Sequence, residues 1–138
     1  MESAMPTVLI VEDEPLIAAI YTAVLRRLPY HVETAHSKQS ALTKIQKLAP
    51  NLILLDLLIP LGVGEDLVEY SHPVGFDILE WVRHHPQYAH AKVIVLTNLD
   101  ADLHEKHARA LGADEYLVKA NLDPLAVADR VAAHLRSS

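Results

Sequence analysis

Cysteine is absent from the 138 residues. That excludes a disulfide framework, a zinc–cysteine site and thiol chemistry, and it fits a reducing compartment. No apolar run approaches the length a bilayer requires, and Met1 to Thr7 lack the basic-then-apolar pattern of an export signal. The expectation is a soluble, cytoplasmic protein without membrane insertion. Basic clusters are missing too. The 12 Lys and Arg are outnumbered by 18 Asp and Glu, the formal net charge is −6, and the basic residues are scattered. A nucleic-acid duplex needs a basic face against its phosphates, so no direct nucleic-acid partner is expected. A Ser/Thr/Gly loop that would cradle a flavin or nucleotide phosphate is also lacking. Glu12-Asp13-Glu14-Pro15 stands where such a loop would follow the first strand, and acidic groups there repel a phosphate.

What is present is an apolar fraction of 51%, enough for a sizeable core in a chain the length of one domain. The expectation is a single domain over residues 1–138, its core about 7–136, with no output domain. Five short apolar runs, at residues 8–11, 31–35, 52–55, 93–96 and 116–118, alternate with helical patterns. The first, third and fourth are continuous in Val, Ile and Leu, as in parallel strands buried on both faces. Ile17, Ile20, Val24 and Leu28 repeat at helical spacing, and Pro29 ends that run. Ser37 caps a second helix with Leu42, Ile45 and Leu48 inward. Phe76, Leu79 and Val82 mark a third. Leu103, His107, Ala110 and Leu111 mark a fourth, which Gly112 closes. Asp123 and Pro124 open a fifth, with Ala128, Val131 and Leu135 inward. The alternation predicts an α/β fold, a doubly wound parallel sheet with helices on both faces. Residues 57–74 have no period and read as a long loop, of the kind that is often functional.

In an open parallel sheet, ligands bind beyond the carboxyl ends of the strands. Those ends carry Glu12, Asp13 and Glu14 after the first strand, Asp56 after the third, Thr97 on the fourth and Lys119 after the fifth. Three carboxylates crowded together repel one another, and a divalent cation removes that cost. An all-oxygen set suits Mg²⁺, which binds through one or two carboxylates together with a phosphoryl oxygen. Lys119 supplies positive charge to Asp56 or to a phosphoryl group, and Thr97 supplies a hydrogen-bond donor. Phosphoryl transfer needs chiefly positioning and charge neutralisation, which this set offers. Singly, each residue has a plainer reading. Asp56 caps a turn, Glu12 and Asp13 form an acidic turn opening a helix, Thr97 ends a strand, and Tyr116 is a half-buried strand tyrosine.

Four runs in order carry a resemblance over roughly residues 7 to 136: VLIVEDEP from Val8, LLDLLIP from Leu54, VIVLT from Val93 and GADEYLVK from Gly112. Together they resemble the receiver domain of bacterial two-component response regulators. The resemblance implies the flavodoxin-like strand order 2-1-3-4-5; the chemotaxis receiver is itself an example given for that order. It implies Asp56 as phosphoacceptor, with Mg²⁺ held by Glu12, Asp13, Asp56 and the main-chain carbonyl of Leu58. It also implies Thr97 and Lys119 on the phosphoryl group, and a switch formed by Thr97 and Tyr116 that alters the face of the fourth helix, fifth strand and fifth helix. The implied donor is a sensor histidine kinase or a histidine phosphotransfer protein, and the implied output is a further protein or a phosphorelay. Apart from that self-phosphorylation and its reversal, no enzyme activity is expected.

The sequence departs from the family in four places. Ala120 follows Lys119 where a cis-proline is usual, so a trans bond is the default. Asn98 follows Thr97 where a very small residue is common. Leu58 and Leu99 stand at the two positions that, in the family the chain resembles, flank the path of the hydrolytic water; both are apolar and offer it no polar partner, which predicts slow self-dephosphorylation. Leu61 to Val74 lengthen the loop after Pro60, bringing Glu65, Asp66, Glu69, Tyr70 and His72. These departures leave open a receiver-fold interaction module that does not use phosphorylation. The histidines add no metal site by pattern: His104 and His107 lack a third ligand, and His84-His85 reads as a helix end.

Overall fold

The computed structural model describes residues 5–62, 73–99 and 101–136. Strands β1 (Thr7–Val11), β2 (His31–Ala35), β3 (Leu52–Leu55), β4 (Lys92–Thr97) and β5 (Glu115–Val118) alternate with helices α1 (Pro15–Leu25), α2 (Lys38–Leu48), α3 (Gly75–His84), α4 (Asp102–Ala110) and α5 (Pro124–Arg136). The strands form one sheet in the order β2-β1-β3-β4-β5, every pairing parallel. This is the doubly wound arrangement expected above. The register aligns Val11 with Ala35 and Leu55, Leu55 with Val95, and Thr97 with Val118. The carboxyl ends of the strands therefore share one edge. Among the described residues no helix is long and apolar enough to cross a membrane.

Alternation along the strands builds two cores. Val8, Ile10, Leu52, Leu54, Ile94 and Leu96 face α1 and α5, meeting Tyr21, Leu25, Val127 and Val131. Leu9, Val11, Ile53, Leu55, Val93 and Val95 face the other way, against Ala41, Ile45, Ile78, Leu79, Val82 and Ala108 of α2, α3 and α4. Each fully buried Leu, Ile or Val contributes about 1.5–3 kcal/mol. This burial on both faces is why the strand runs are continuous rather than alternating.

Helix phases differ from the expectation in two places. α1 ends at Leu25, before the Leu28-Pro29 stop, and turns its Ala18, Tyr21 and Leu25 inward while Ile20 is 45% exposed. Leu16, Ile17, Ile20, Tyr21, Val24 and Leu25 make its apolar arc too broad for periodicity to fix the phase. In α4 the only buried residue is Ala108; Leu103 is 77% exposed, and His107 and Ala110 are exposed as well. That helix is seated by the close approach of Ala108 and by the His107 ring, which stacks on Phe76 with centroids 4.3 Å apart. Its thin packing leaves Leu103 facing outward.

The long loop is partly tied down. Leu57 and Ile59 are fully buried. The carbonyls of Pro60 and Leu61 accept the Lys38 and Gln39 N–H groups at 2.9 and 3.0 Å, satisfying donors that the first turn of α2 leaves open. Ser37 caps the same helix, exchanging hydrogen bonds with Ser40. Glu65, Asp66, Glu69, Tyr70 and His72 lie outside the described residues.

At the opposite edge, Arg83 of α3 donates to the carbonyls of Gly112, Ala89 and Ala91 and to Asp114, at 2.7–3.0 Å. Asp114 in turn accepts the Val93 N–H at 2.8 Å. One guanidinium thus fixes the turns that lead into β4 and β5. Arg83→Met would strand these acceptors and is expected to lower stability by about 2–4 kcal/mol, read as a fall in the urea midpoint. A second tie joins β5 to α5, where Glu115 accepts Arg130 Nε at 2.9 Å and His134 Nε2 at 2.6 Å. Burial pushes the Glu115 carboxyl up, but the Arg130 and His134 hydrogen bonds outweigh it and hold the group below its ordinary value. The folded state then binds this proton less readily than the unfolded chain. The tie's contribution is present above the ordinary glutamate range and is lost as pH falls through the depressed value. Stability measured against pH should lose part of its acid limb in Glu115→Gln.

Candidate functional site

The carboxyl edge of the sheet gathers most of the residues singled out by the sequence. Glu12 follows β1, and its N–H donates to the Ala35 carbonyl at 2.9 Å, which holds the backbone as the chain leaves the sheet. Asp56 follows β3 in the same way, its N–H donating to the Val11 carbonyl at 3.0 Å. Both side chains are buried, at 4% and 6% exposure. Asp13 is half-buried beside them. Lys119 follows β5, where a 3-10 turn over Lys119–Asn121 leads toward α5. The described peptide bonds are all trans, that from Lys119 to Ala120 included.

The Lys119 ammonium lies between two carboxylates. It donates to Asp56 Oδ2 at 2.8 Å and also to Glu12 Oε1. Asp56 Oδ1 accepts the Leu58 N–H at 3.0 Å, and Glu12 Oε2 accepts the Glu14 N–H at 3.2 Å. One oxygen each from Glu12, Asp13 and Asp56 lies within 4.8 Å of the others. Burial pushes the Glu12 carboxyl up, and the nearby Asp56 charge adds to this against the pull of Lys119. Burial likewise raises Asp13, with the charges of Asp56 and Glu14 contributing. Burial pulls the Lys119 ammonium down, but its contacts with Asp56 and Glu12 more than reverse that. Three carboxylates sharing one ammonium remain short of positive charge. The donors are all hard oxygens, so the cluster is compatible with Mg²⁺.

A cavity of about 330 Å³ opens over the cluster. Its walls are the carboxylates Glu12, Asp13, Glu14 and Asp56, the Lys119 ammonium, and Ile17, Leu58, Asn98 and Leu99. The sequence placed Glu14 at this edge without giving it a role, and it had not marked Ile17 as part of the site. Thr97 is fully buried at the end of β4 but is not among these walls. Its Oγ1 accepts the Leu99 N–H at 3.4 Å. Tyr116 is buried as well, and its hydroxyl donates to the Leu99 carbonyl. Thr97 and Tyr116 are thus both tied to Leu99 rather than to the acidic cluster.

Comparison with known proteins agrees with this geometry. The family model described as "Response regulator receiver domain" matches residues 8–130. The fold and the acidic edge define a receiver, and the chain belongs to the response regulator receiver domain family. Such domains serve two-component signalling rather than acting as enzymes in the usual sense. The transcriptional regulatory protein TrcR of Mycobacterium tuberculosis is 30% identical over 112 residues, covering 81% of this chain and 38% of that protein. A putative response regulator from Chloroflexus aurantiacus superposes with a TM-score of 0.78 at 30% identity, covering 96% of this chain and 98% of that one. The chemotaxis response regulator CheY4 of Vibrio cholerae gives 0.79 at 27% identity, over 94% and 98%. The chain spans about half or less of the length of the curated relatives it matches.

One glycine holds the Asp56 segment in place. Gly75 opens α3, and its N–H donates to the Leu57 carbonyl at 3.0 Å. A Cβ on it would meet Leu57 Cα at 2.5 Å and the Asp56 carbonyl oxygen at 2.6 Å, both rigid backbone. Gly75→Ala is expected to push the Asp56–Leu57 segment away, costing about 1–3 kcal/mol of stability by denaturant titration and displacing the Asp56 amide resonance.

Proposed function

We propose that this receiver takes a phosphoryl group onto Asp56 from the phosphohistidine of a sensor kinase or a histidine phosphotransfer protein. The observation that carries this reading is the buried Asp56 carboxylate, paired with Lys119 on one oxygen and flanked by Glu12 and Asp13. Glu12, Asp13, Asp56 and the Leu58 carbonyl would hold Mg²⁺, which supplies charge neutralisation for an incoming phosphoryl group. In the transfer, an Asp56 carboxylate oxygen bonds to phosphorus while the N–P bond breaks and the imidazole leaves with the electron pair. Lys119 stays beside the acceptor and offsets charge on the phosphoryl oxygens. Thr97 exchanges its contact with the Leu99 N–H for a phosphoryl oxygen. Because Tyr116 is also tied to Leu99, that movement bears on the tyrosine and so on the face formed by α4, β5 and α5. That face engages a downstream protein or passes the signal along a relay. A histidine-kinase donor places this chemistry in the cytoplasm.

The surface beside the cavity suits a protein donor. Leu16 and Ile20 of α1 and Leu125 of α5 are 78%, 45% and 61% exposed. A partner burying them adds apolar binding energy remote from the reacting atoms.

Incubation with Mg²⁺ and a small phosphodonor, either phosphoramidate or acetyl phosphate, should add one phosphoryl group to the intact mass. Chelation of the metal and the Asp56→Asn variant should each abolish the gain. Absence of any gain in the folded parent would instead favour an interaction module that works without phosphorylation. The apolar Leu58 and Leu99 walls leave a hydrolytic water without polar partners, so decay is expected over hours. Loss within seconds would overturn that part of the reading.

A further inference from the structure

The cavity over Asp56 is strongly one-sided in charge. Four carboxylates line it, and Lys119 is the one cation among its described walls, already engaged by Glu12 and Asp56. Three of the carboxylates form the acidic cluster, whereas Glu14 stands apart. It is exposed, it opens α1 from the N-cap position, and it makes no side-chain capping bond there. Its backbone N–H is held by Glu12 Oε2, which fixes the residue at the rim. The neighbouring walls, Ile17, Leu58 and Leu99, bring no charge to offset it. It nevertheless shares the cavity wall with Asp13 and Asp56.

A carboxylate at the rim meets the leaving group of a donor whose phosphorus points at Asp56. We propose that Glu14 selects the phosphodonor, favouring donors whose leaving nitrogen carries positive charge and disfavouring acyl phosphates. This rests on Asp56 being the acceptor. With a phosphoramidate-type donor the N–P bond breaks, the Asp56 O–P bond forms, and the amine departs neutral with the electron pair. Before that step its protonated nitrogen is attracted to Glu14. With acetyl phosphate the C–O–P linkage breaks at phosphorus, and acetate departs with the electron pair and a full negative charge. Glu14 opposes both the approach of that dianion and the charge growing on its leaving oxygen. A protonated phosphohistidine belongs to the first class.

The experiment compares initial phosphorylation rates by intact mass, with phosphoramidate and with acetyl phosphate, at saturating Mg²⁺ and low ionic strength. The parent, Glu14→Gln and Asp56→Asn are measured side by side, their folding checked by circular dichroism. Saturating metal removes any effect of Glu14 on metal affinity. In Glu14→Gln the rate with acetyl phosphate should rise about 3- to 10-fold while that with phosphoramidate stays level or falls. The difference between parent and variant should shrink as salt is added. A donor ratio unmoved by Glu14→Gln, or equal changes with both donors, overturns the role of Glu14 while leaving Asp56 as acceptor. Mass gain that persists in Asp56→Asn overturns the acceptor reading instead. No gain from phosphoramidate in the folded parent overturns both.

Discussion

The functional edge depends on one buried ammonium. Lys119 lies 107 residues from Glu12 and 63 from Asp56 in the chain, yet it donates to both. Without it, the crowded carboxylates would carry uncompensated charge in a site shielded from water, a costly arrangement. The parallel register makes the contact possible by ending β1, β3 and β5 along one edge. The same ammonium that stabilises the resting cluster stands where a phosphoryl group on Asp56 would need positive charge.

The rest of the fold divides between rigid support and a more lightly packed side at α4. The sheet is covered on both faces, and α3 is locked at its start by Gly75 against the Asp56 segment and near its end by Arg83. α4 differs, with Ala108 as its only buried residue and its His107 ring resting on Phe76. Elements with few buried contacts occupy the low-stability end of a structure and are the ones able to shift. Leu99, in the cavity wall, is held by Thr97 on its amide and by Tyr116 on its carbonyl.

Much of this was legible in the sequence. Short apolar runs gave β2 and β3 at their observed bounds and the other strands to within one residue at either end; in β1, β3 and β4 the runs are continuous because strands buried on both faces leave no polar gaps. Glu12, Asp13, Asp56, Thr97 and Lys119 were placed at strand ends by the same reading. Helix faces were less legible. The apolar arc of α1 is too wide to choose between Ile20 and Tyr21, and in α4 the buried contact is a small Ala108 while the larger Leu103 faces outward. Size and hydropathy do not reveal which residue has a neighbour close enough to cover it.

The sequence by itself determined the α/β alternation, the acidic and basic groups at the strand ends and the family to which they belong, since these follow from local pattern and residue type. Tertiary structure alone decided that Lys119 bridges Glu12 as well as Asp56, that Thr97 and Tyr116 converge on Leu99, and that Glu14 joins the cavity wall. It also decided that Arg83 joins the turns leading into β4 and β5. Each is a contact between segments distant in the chain, or a side-chain direction set by packing. Such contacts depend on register and on the fit of neighbouring elements, which no local pattern encodes.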